Sequence, residues 1–572
     1  MNKDSSSHLT IIGILFLTLG LLMGELPSWG ASSQVPAASL ETLRLGERIY
    51  REGILPSGEP LVAAATGGHA APGLTFACVS CHLRSGLGAY DEGVNTPAIN
   101  GAKLFRPLPR MFRGRELGPD AGEPLRPAYT EESLIQALRG GKAPDGRVLG
   151  LGMPRYPLKG DDARLLVTYL KNLSAHFSPG VVAQDLHFAT VISDDVSPKG
   201  SAAMMGVLEQ FIRSQNDRNM TVRDLRSRLM AENMMGPDLA ARSFSLSRWM
   251  LHGPPESWRR QLEEYNRKEP VFALLGGMVS GEWQPVHRFC EDNGIPSFFP
   301  LTELPVISES DWYTLYLSRG YYQEGESAAR YLHGRGEQSK VGPVVQVVRS
   351  SPEGKALQAG FQQSWLALGH TAPVTVSTPS GKGMTREFLR RLLAKERPAL
   401  LIVWDDATAL PALESVSRRD GRPETVVFSA RYLGDTLWSL PESLRDDIYL
   451  TYPFFFSPFA PRSGMGVQKI PTDRKLTLRR ADVPFNDEIQ RVVTLTKSLT
   501  QLFYPLLIEL KGNYYRDNLL DTIGMMADQQ YPLHGRVSFG TGQRYAAKGC
   551  YLVQLGHGVN PELIKKSEWD IQ

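Results

Sequence analysis

Four cysteines in 572 residues are too few to build a disulfide scaffold. Charge of one sign is lacking as well: 63 Lys and Arg stand against 60 Asp and Glu, a net +3. That balance excludes a bulk nucleic-acid binder. Beyond the first 23 residues there is no long apolar run, so the rest of the chain has no candidate membrane span. Ser-His-Asp signatures, phosphate-binding loops and HExxH helices are missing, so nothing organises the carboxylates and the 11 histidines into a catalytic set. What is present, 42% hydrophobic and 22% charged residues, describes a folded chain, and its length predicts two or three domains.

At the N-terminus, Lys3 precedes an apolar run from Leu9 to Met23 and then "GELPSWGASSQ". The run has the length of a signal-peptide core and is short for a bilayer. Cleavage after Gly30 places the small residues Ser28 and Gly30 at the recognition positions. Residues 1–30 are therefore expected to be a signal peptide, the alternative being an uncleaved anchor, and the expected location is the periplasm. In such a compartment Cys290 and Cys550 either pair or remain two buried free thiols.

The other two cysteines are three apart in "FACVSCHLRSG", residues 76–86, with His82 directly behind Cys81. A zinc site needs a second Cys/His pair at finger spacing, which is missing. A dithiol redox motif belongs in a βαβ unit, which the surroundings do not resemble. Covalent haem attachment accounts for all three residues: Cys78 and Cys81 form the thioethers and His82 becomes the proximal iron ligand.

Helical periodicity flanks the motif. "LETLRLGERIYREG" puts Leu43, Gly46, Ile49 and Tyr50 on one face, and "DDARLLVTYLKNL" (161–173) carries Leu165, Leu166, Tyr169, Leu170 and Leu173. Between them "TEESLIQALRGG" opens at Thr130 with a partial capping box, Ser133 standing where an acid is usual, and stops at Gly140 and Gly141. These residues resemble a class I cytochrome c. The resemblance implies an all-α domain over residues 35–178 holding one haem c, with Gly46 and Tyr50 crossing Tyr169. Met153, before Pro154, would be the second axial ligand, with Met111 and His69 as competitors. Pro97 in "NTPAING" would present its carbonyl to the His82 imidazole. The acid-free run Lys103, Arg106, Arg110, Arg113, Arg115 is either a solvated loop or a docking patch for an acidic redox partner.

After a linker at 179–185 the pattern changes. "FATVIS", "VFALLGG", "VGPVVQVV", "ALLIVW" and "TVVFSA" alternate with helical stretches, which predicts βαβ units and parallel sheets. Residues 186–560 resemble type I periplasmic solute-binding proteins of the branched-chain amino acid class. The resemblance rests on "PVFALLGGMVSGEWQPVHRFCEDNGIPSFFPLTELP", "YYQEGESAARYL", "SSPEGKALQAGFQQSWLALGH" and "GRVSFGTGQRYAAKGCYLVQL", in that order. It implies an α/β domain of two Rossmann-like lobes joined by three crossovers, with Ser280 and Thr302 lining a cleft for a small-molecule ligand. Two positions depart from the family. Ser350, Ser351 and Pro352 stand where amino-acid binders tend to have a Tyr, and Arg431 stands near a usual acid, so an anionic or aromatic ligand enters the field. Trp283, Trp438 and "YPFFFSPF" are candidates for an apolar wall.

The expectation is a periplasmic monohaem cytochrome fused to a solute-binding domain, an electron carrier and not an enzyme. Its partners would be a redox protein such as a dehydrogenase or oxidase, a solute, and a membrane only if the signal stays uncleaved. The alternative is a transport-type solute receptor with a redox-sensing haem domain.

Overall fold

The structure is a computed structural model describing residues 39–64, 70–72, 76–91, 94–108, 111–112, 115–116, 125–150, 152–221, 242–336, 342–378, 383–456, 477–483, 487–540 and 542–571. The signal-like run and His69 lie outside them, as do Arg110 and Arg113. Among the described residues no helix is long and apolar enough to cross a membrane.

The N-terminal unit is helical. Helix α1 (Leu40–Glu52) starts at Ser39, whose hydroxyl accepts from Thr42 N–H, and ends at Gly53 in the left-handed region. A single turn, α2 (Val79–His82), carries the cysteine motif. Helix α3 (Glu131–Gly140) has a complete capping box: Thr130 N–H donates to the Ser133 hydroxyl at 2.8 Å and Ser133 N–H donates to the Thr130 hydroxyl at 3.2 Å. A hydroxyl at the third position thus serves where an acid was expected. Helix α4 (Gly160–Asn172) crosses α1, and the crossing is possible because position 46 is glycine. A Cβ there would lie 2.4 Å from the Leu165 carbonyl oxygen and 2.6 Å from Tyr169 Cβ. The Tyr50 and Tyr169 rings meet beside it at 5.4 Å.

The remaining chain makes two α/β lobes. In lobe I the strands β1 (Asp185–Ser193), β2 (Ser243–Leu251), β3 (Ala273–Leu275), β4 (Ser297–Phe298) and β5 (Thr314–Leu315) form a parallel sheet in the order 5-4-3-1-2. Helix α5 (Pro198–Thr221) follows β1. Lobe II opens with helix α6 (Gly320–Gly334). Its sheet contains β6 (Val344–Arg349), β7 (Val374–Thr378), β8 (Leu400–Trp404), β9 (Val426–Ser429) and β10 (Ile448–Tyr452), parallel in the order 7-6-8-9-10. Helix α7 (Pro352–Ala367) packs on α6 through small residues. A Cβ at Gly325 would meet the Leu357 carbonyl oxygen at 2.1 Å, and one at Gly360 the Tyr322 carbonyl oxygen at 2.0 Å.

The chain then returns to lobe I as α8 (Glu488–Glu509) and α9 (Arg516–Gly524), whose apolar faces share one core with β1, β3 and β4. It crosses a third time to add β11 (Gly549–Leu555) antiparallel to β10. The first and third crossings run side by side: Tyr316 N–H donates to the Arg544 carbonyl at 2.9 Å and Ala546 N–H to the Tyr316 carbonyl at 3.1 Å. Strands that are almost wholly buried, such as β8 and β11, read as continuous apolar runs because helices cover both faces.

The residues just before the expected linker are pinned to lobe I, and within it Val181 and Val182 pair antiparallel with Leu186 and Asp185. Ser178 N–H donates to the Tyr514 carbonyl at 3.2 Å, Arg516 N–H donates to the Ser178 hydroxyl at 2.9 Å, and Phe177 packs edge-on to Tyr514. Cys290 is buried in lobe I and Cys550 in β11 of lobe II, and both are free thiols.

Candidate functional site

Two regions carry chemistry. In the helical unit, α2 places Cys78, Cys81 and His82 on one turn, with Cys78 and His82 buried and Cys81 exposed. His82 Nδ1 lies 2.9 Å from the Pro97 carbonyl oxygen. A carbonyl only accepts, so the proton is on Nδ1 and Nε2 is left with the lone pair. Burial lowers the imidazole from its usual pKa, with the Pro97 carbonyl opposing. The next residue, Leu83, has φ of 62° and its carbonyl accepts from the Tyr50 hydroxyl at 2.6 Å, which ties the motif to α1.

Met153 is half-buried and packs against the same apolar cluster as Cys78. One contact ties its segment to the motif and another to residues 62–64. The Tyr156 hydroxyl donates to the Phe76 carbonyl at 2.9 Å, and Arg155 and Ala64 exchange backbone hydrogen bonds at 2.9 and 3.0 Å. The fold thus gathers Cys78, Cys81, His82, Pro97 and Met153 from three separate stretches. Cys78 and Met153 share one apolar cluster, His82 is buried beside it with its Nδ1 proton fixed, and Cys81 is exposed; these are the donor types a covalently attached haem would use. Met111 is described in its backbone only, within a two-residue hairpin.

In the α/β part, the carboxyl ends of both parallel sheets carry the polar residues. Ser280 follows β3; it is exposed, and its N–H donates to the hydroxyl of Ser193, the last residue of β1, at 3.0 Å. Thr302 follows β4, but its hydroxyl turns back to accept Leu304 N–H at 3.1 Å. From lobe II, Ser351 caps α7 and its hydroxyl meets Tyr432 Oη at 2.7 Å, so a tyrosine reaches the serine segment from the end of β9, across β8. Trp283 and Trp438 are core residues of lobes I and II and do not form a wall.

Arg431, two residues beyond β9, makes an ion pair between the lobes. It pairs with Glu303, two residues beyond Leu301 on the lobe I side, and its Nε is 3.2 Å from Glu324 Oε1 of α6. Its guanidinium lies 5.4 Å from the Tyr321 ring and 5.2 Å from that of Phe454. Burial and the like charge of Arg491 on α8 pull Arg431 down to about 9, so it stays cationic at neutral pH. Glu324 also accepts from the Ser429 hydroxyl at 2.7 Å and the Thr451 hydroxyl at 2.6 Å, and burial pushes it up to about 8. His534 is buried close by, pulled down to about 4 by burial and by Arg431. Reading the sequence picked out Arg431 only as a departure and missed Glu303, Glu324, Tyr321 and His534. Their proximity depends on contacts between lobes, which no local spacing encodes.

Residues 252–464 match the family model described as periplasmic binding protein. That stretch runs from the end of β2 to just beyond β10, across both lobes. Among solved structures, the chain is similar to a solute-binding protein of an ABC transporter from Rhodopseudomonas palustris HaA2 in complex with p-hydroxybenzoic acid. The two are 14% identical with a TM-score of 0.44, over 68% of this chain and 97% of that one. It is similar to a branched-chain amino acid ABC transporter protein from Thermus thermophilus with bound valine, at 13% identity and TM-score 0.43, over 68% and 98%. A fatty acid ABC transporter substrate-binding protein from Thermomonospora curvata is 14% identical with a TM-score of 0.42, over 69% and 95%. No curated protein matches the chain.

Proposed function

We propose that this protein is a periplasmic solute receptor of the kind that serves ABC transporters, carrying an N-terminal unit for one covalently attached haem. The receptor half rests on two parallel sheets whose carboxyl ends meet at an interlobe pair, Glu303 with Arg431. The haem half is carried by one observation: His82 donates from Nδ1 to Pro97, so Nε2 faces a ligand's role while two cysteines share its helical turn. Cys78 and Cys81 would anchor the porphyrin, His82 and Met153 would hold the iron, and Pro97 would orient His82. Bound there, the group supplies one-electron exchange between ferrous and ferric iron.

The chain's own residues then do three things. Tyr50 holds the Leu83 carbonyl and Pro97 holds the His82 ring, so the orientation of His82 is fixed by two contacts. Ile49, Leu134, Leu138 and Leu166 keep the cluster apolar, which limits water. In the α/β part, Glu303 beyond β4 pairs with Arg431 beyond β9 and so ties the two lobes together. The reading is of a receptor, with the haem unit reporting or adjusting redox state. In-gel haem staining after denaturation tests it: exported wild type stains, and Cys78→Ser with Cys81→Ser does not. Equal loss of stain on denaturing the wild type would contradict covalent attachment.

A further inference from the structure

The turn that carries Met153 is held by one side chain. The Arg155 guanidinium donates from Nη1 to the Met153 carbonyl and from Nη2 to the Leu149 carbonyl, the latter at 3.0 Å. Met153 N–H donates to the Gly150 carbonyl at 3.1 Å, and Leu149 N–H donates to the Gly141 carbonyl at 2.8 Å. The turn therefore starts from the end of α3 and closes on Arg155. Arg155 has little freedom of its own, because its backbone is paired with Ala64 and Tyr156 N–H donates to the Leu138 carbonyl at 2.9 Å. Gly141 makes room for the guanidinium. It caps α3 with φ of 67°, and a Cβ there would lie 2.1 Å from Arg155 Nε and Cζ. A bare Cα lets the cation lie against the carbonyl end of α3, whose dipole favours it.

We propose that Arg155 is a positioning residue for Met153, fixing the backbone from which the thioether reaches the iron. The assignment rests on the haem reading above and deepens it by naming what holds the second axial ligand in place. A thioether is a soft, weak donor, so its hold on ferric iron depends on how little freedom the chain around it has to lose. Arg155 removes that freedom by fixing the carbonyl of the ligand residue itself. Pro154, which is buried, adds to this by biasing Met153 toward an extended backbone. The two carbonyls are four residues apart, and a planar fork of donors holds both at once. A lysine has the charge without the fork, and a glutamine has neither the charge nor the reach.

The test uses the full chain exported with haem attached, as wild type, Arg155→Gln and Arg155→Lys. Imidazole is titrated against each ferric protein, and loss of the near-infrared sulfur-to-iron band reads the displacement of Met153. Arg155→Gln is expected to bind imidazole about tenfold more tightly than wild type, with Arg155→Lys between the two. Covalent haem, read by the pyridine haemochrome, is expected to be unchanged in both, since neither cysteine is touched. A merely structural role would lower the urea midpoint and leave the imidazole affinity where it is, and that result overturns the proposal. If Arg155→Gln does not fold, Arg155→Lys decides, and wild-type affinity there overturns it. A wild type that holds haem but lacks the sulfur band removes Met153 as a ligand and the proposal with it, while attachment at Cys78 and Cys81 stands. A wild type without haem overturns both.

Discussion

His534 shows what burial beside a cation does to a single side chain. Its usual pKa near 6.5 falls to about 4, with burial first and Arg431 second among the causes. A depressed histidine is neutral in the folded protein while the unfolded chain already binds a proton. Stability is therefore unaffected above pH 6.5 and is lost as pH falls from 6.5 to about 4, by about 3 kcal/mol in all. Urea unfolding between pH 7 and 4 should show that slope in the wild type and a flatter one in His534→Gln. Identical slopes would contradict the buried neutral imidazole. Residues of this sort differ in how visible they are in sequence. Cys78, Cys81 and His82 form a contiguous motif, and Gly46, Tyr50 and Tyr169 sit at helical spacings that predict their crossing. Arg431, Glu303, Glu324 and His534 come from four separate segments that only tertiary packing assembles.

At the scale of elements, the docking of α9 against the cysteine motif decides how the helical unit sits. Asp521 of α9 accepts N–H of Ser85 at 2.8 Å and of Arg84 at 3.3 Å, two and three residues beyond His82. Asp517, one turn earlier, takes Arg51 of α1 at 2.6 Å and the Tyr313 hydroxyl at 2.9 Å, and the two arginines Arg51 and Arg84 hold it below its usual pKa despite burial. Burial pushes Asp521 the other way, to about 6, with Asp517 adding to the push. Asp521→Ala leaves the buried N–H of Ser85 and the part-buried N–H of Arg84 without this acceptor and should weaken the contact by about 2 kcal/mol. Calorimetry should then show a single transition in the wild type splitting into two in the variant. One unchanged transition would mean that α9 does not hold the units together. The long buried strands β8 and β11 announce themselves as apolar runs. The two-residue strands β4 and β5 do not, because pairs so short carry no period. The sequence placed a linker at 179–185 without showing how it packs; just before it, Phe177 and Ser178 are committed to Tyr514 and Arg516.

Across the whole molecule, the helical unit rests on lobe I beside the crossings between lobes. Arg84 and Arg544 both lie over the Trp312 ring, at 4.4 and 3.9 Å, and Trp312 stands two residues before β5 while Arg544 bonds to Tyr316. The segment that follows His82 therefore shares a side-chain contact with the segments that cross between the lobes. Sequence reading separated the two units by their periodicities, 3.6 in one and alternating strands and helices in the other. It had no means of seeing this contact, which joins positions more than two hundred residues apart.

The central claim, a haem held by His82 and Met153 in a solute receptor, is tested most directly by one optical spectrum. Protein exported from cells able to attach haem is read oxidised, reduced and as the pyridine haemochrome, with Met153→Ala alongside. The account predicts a c-type spectrum whose near-infrared sulfur-to-iron band is present in the wild type and gone in the variant. A wild type with no bound haem would contradict it.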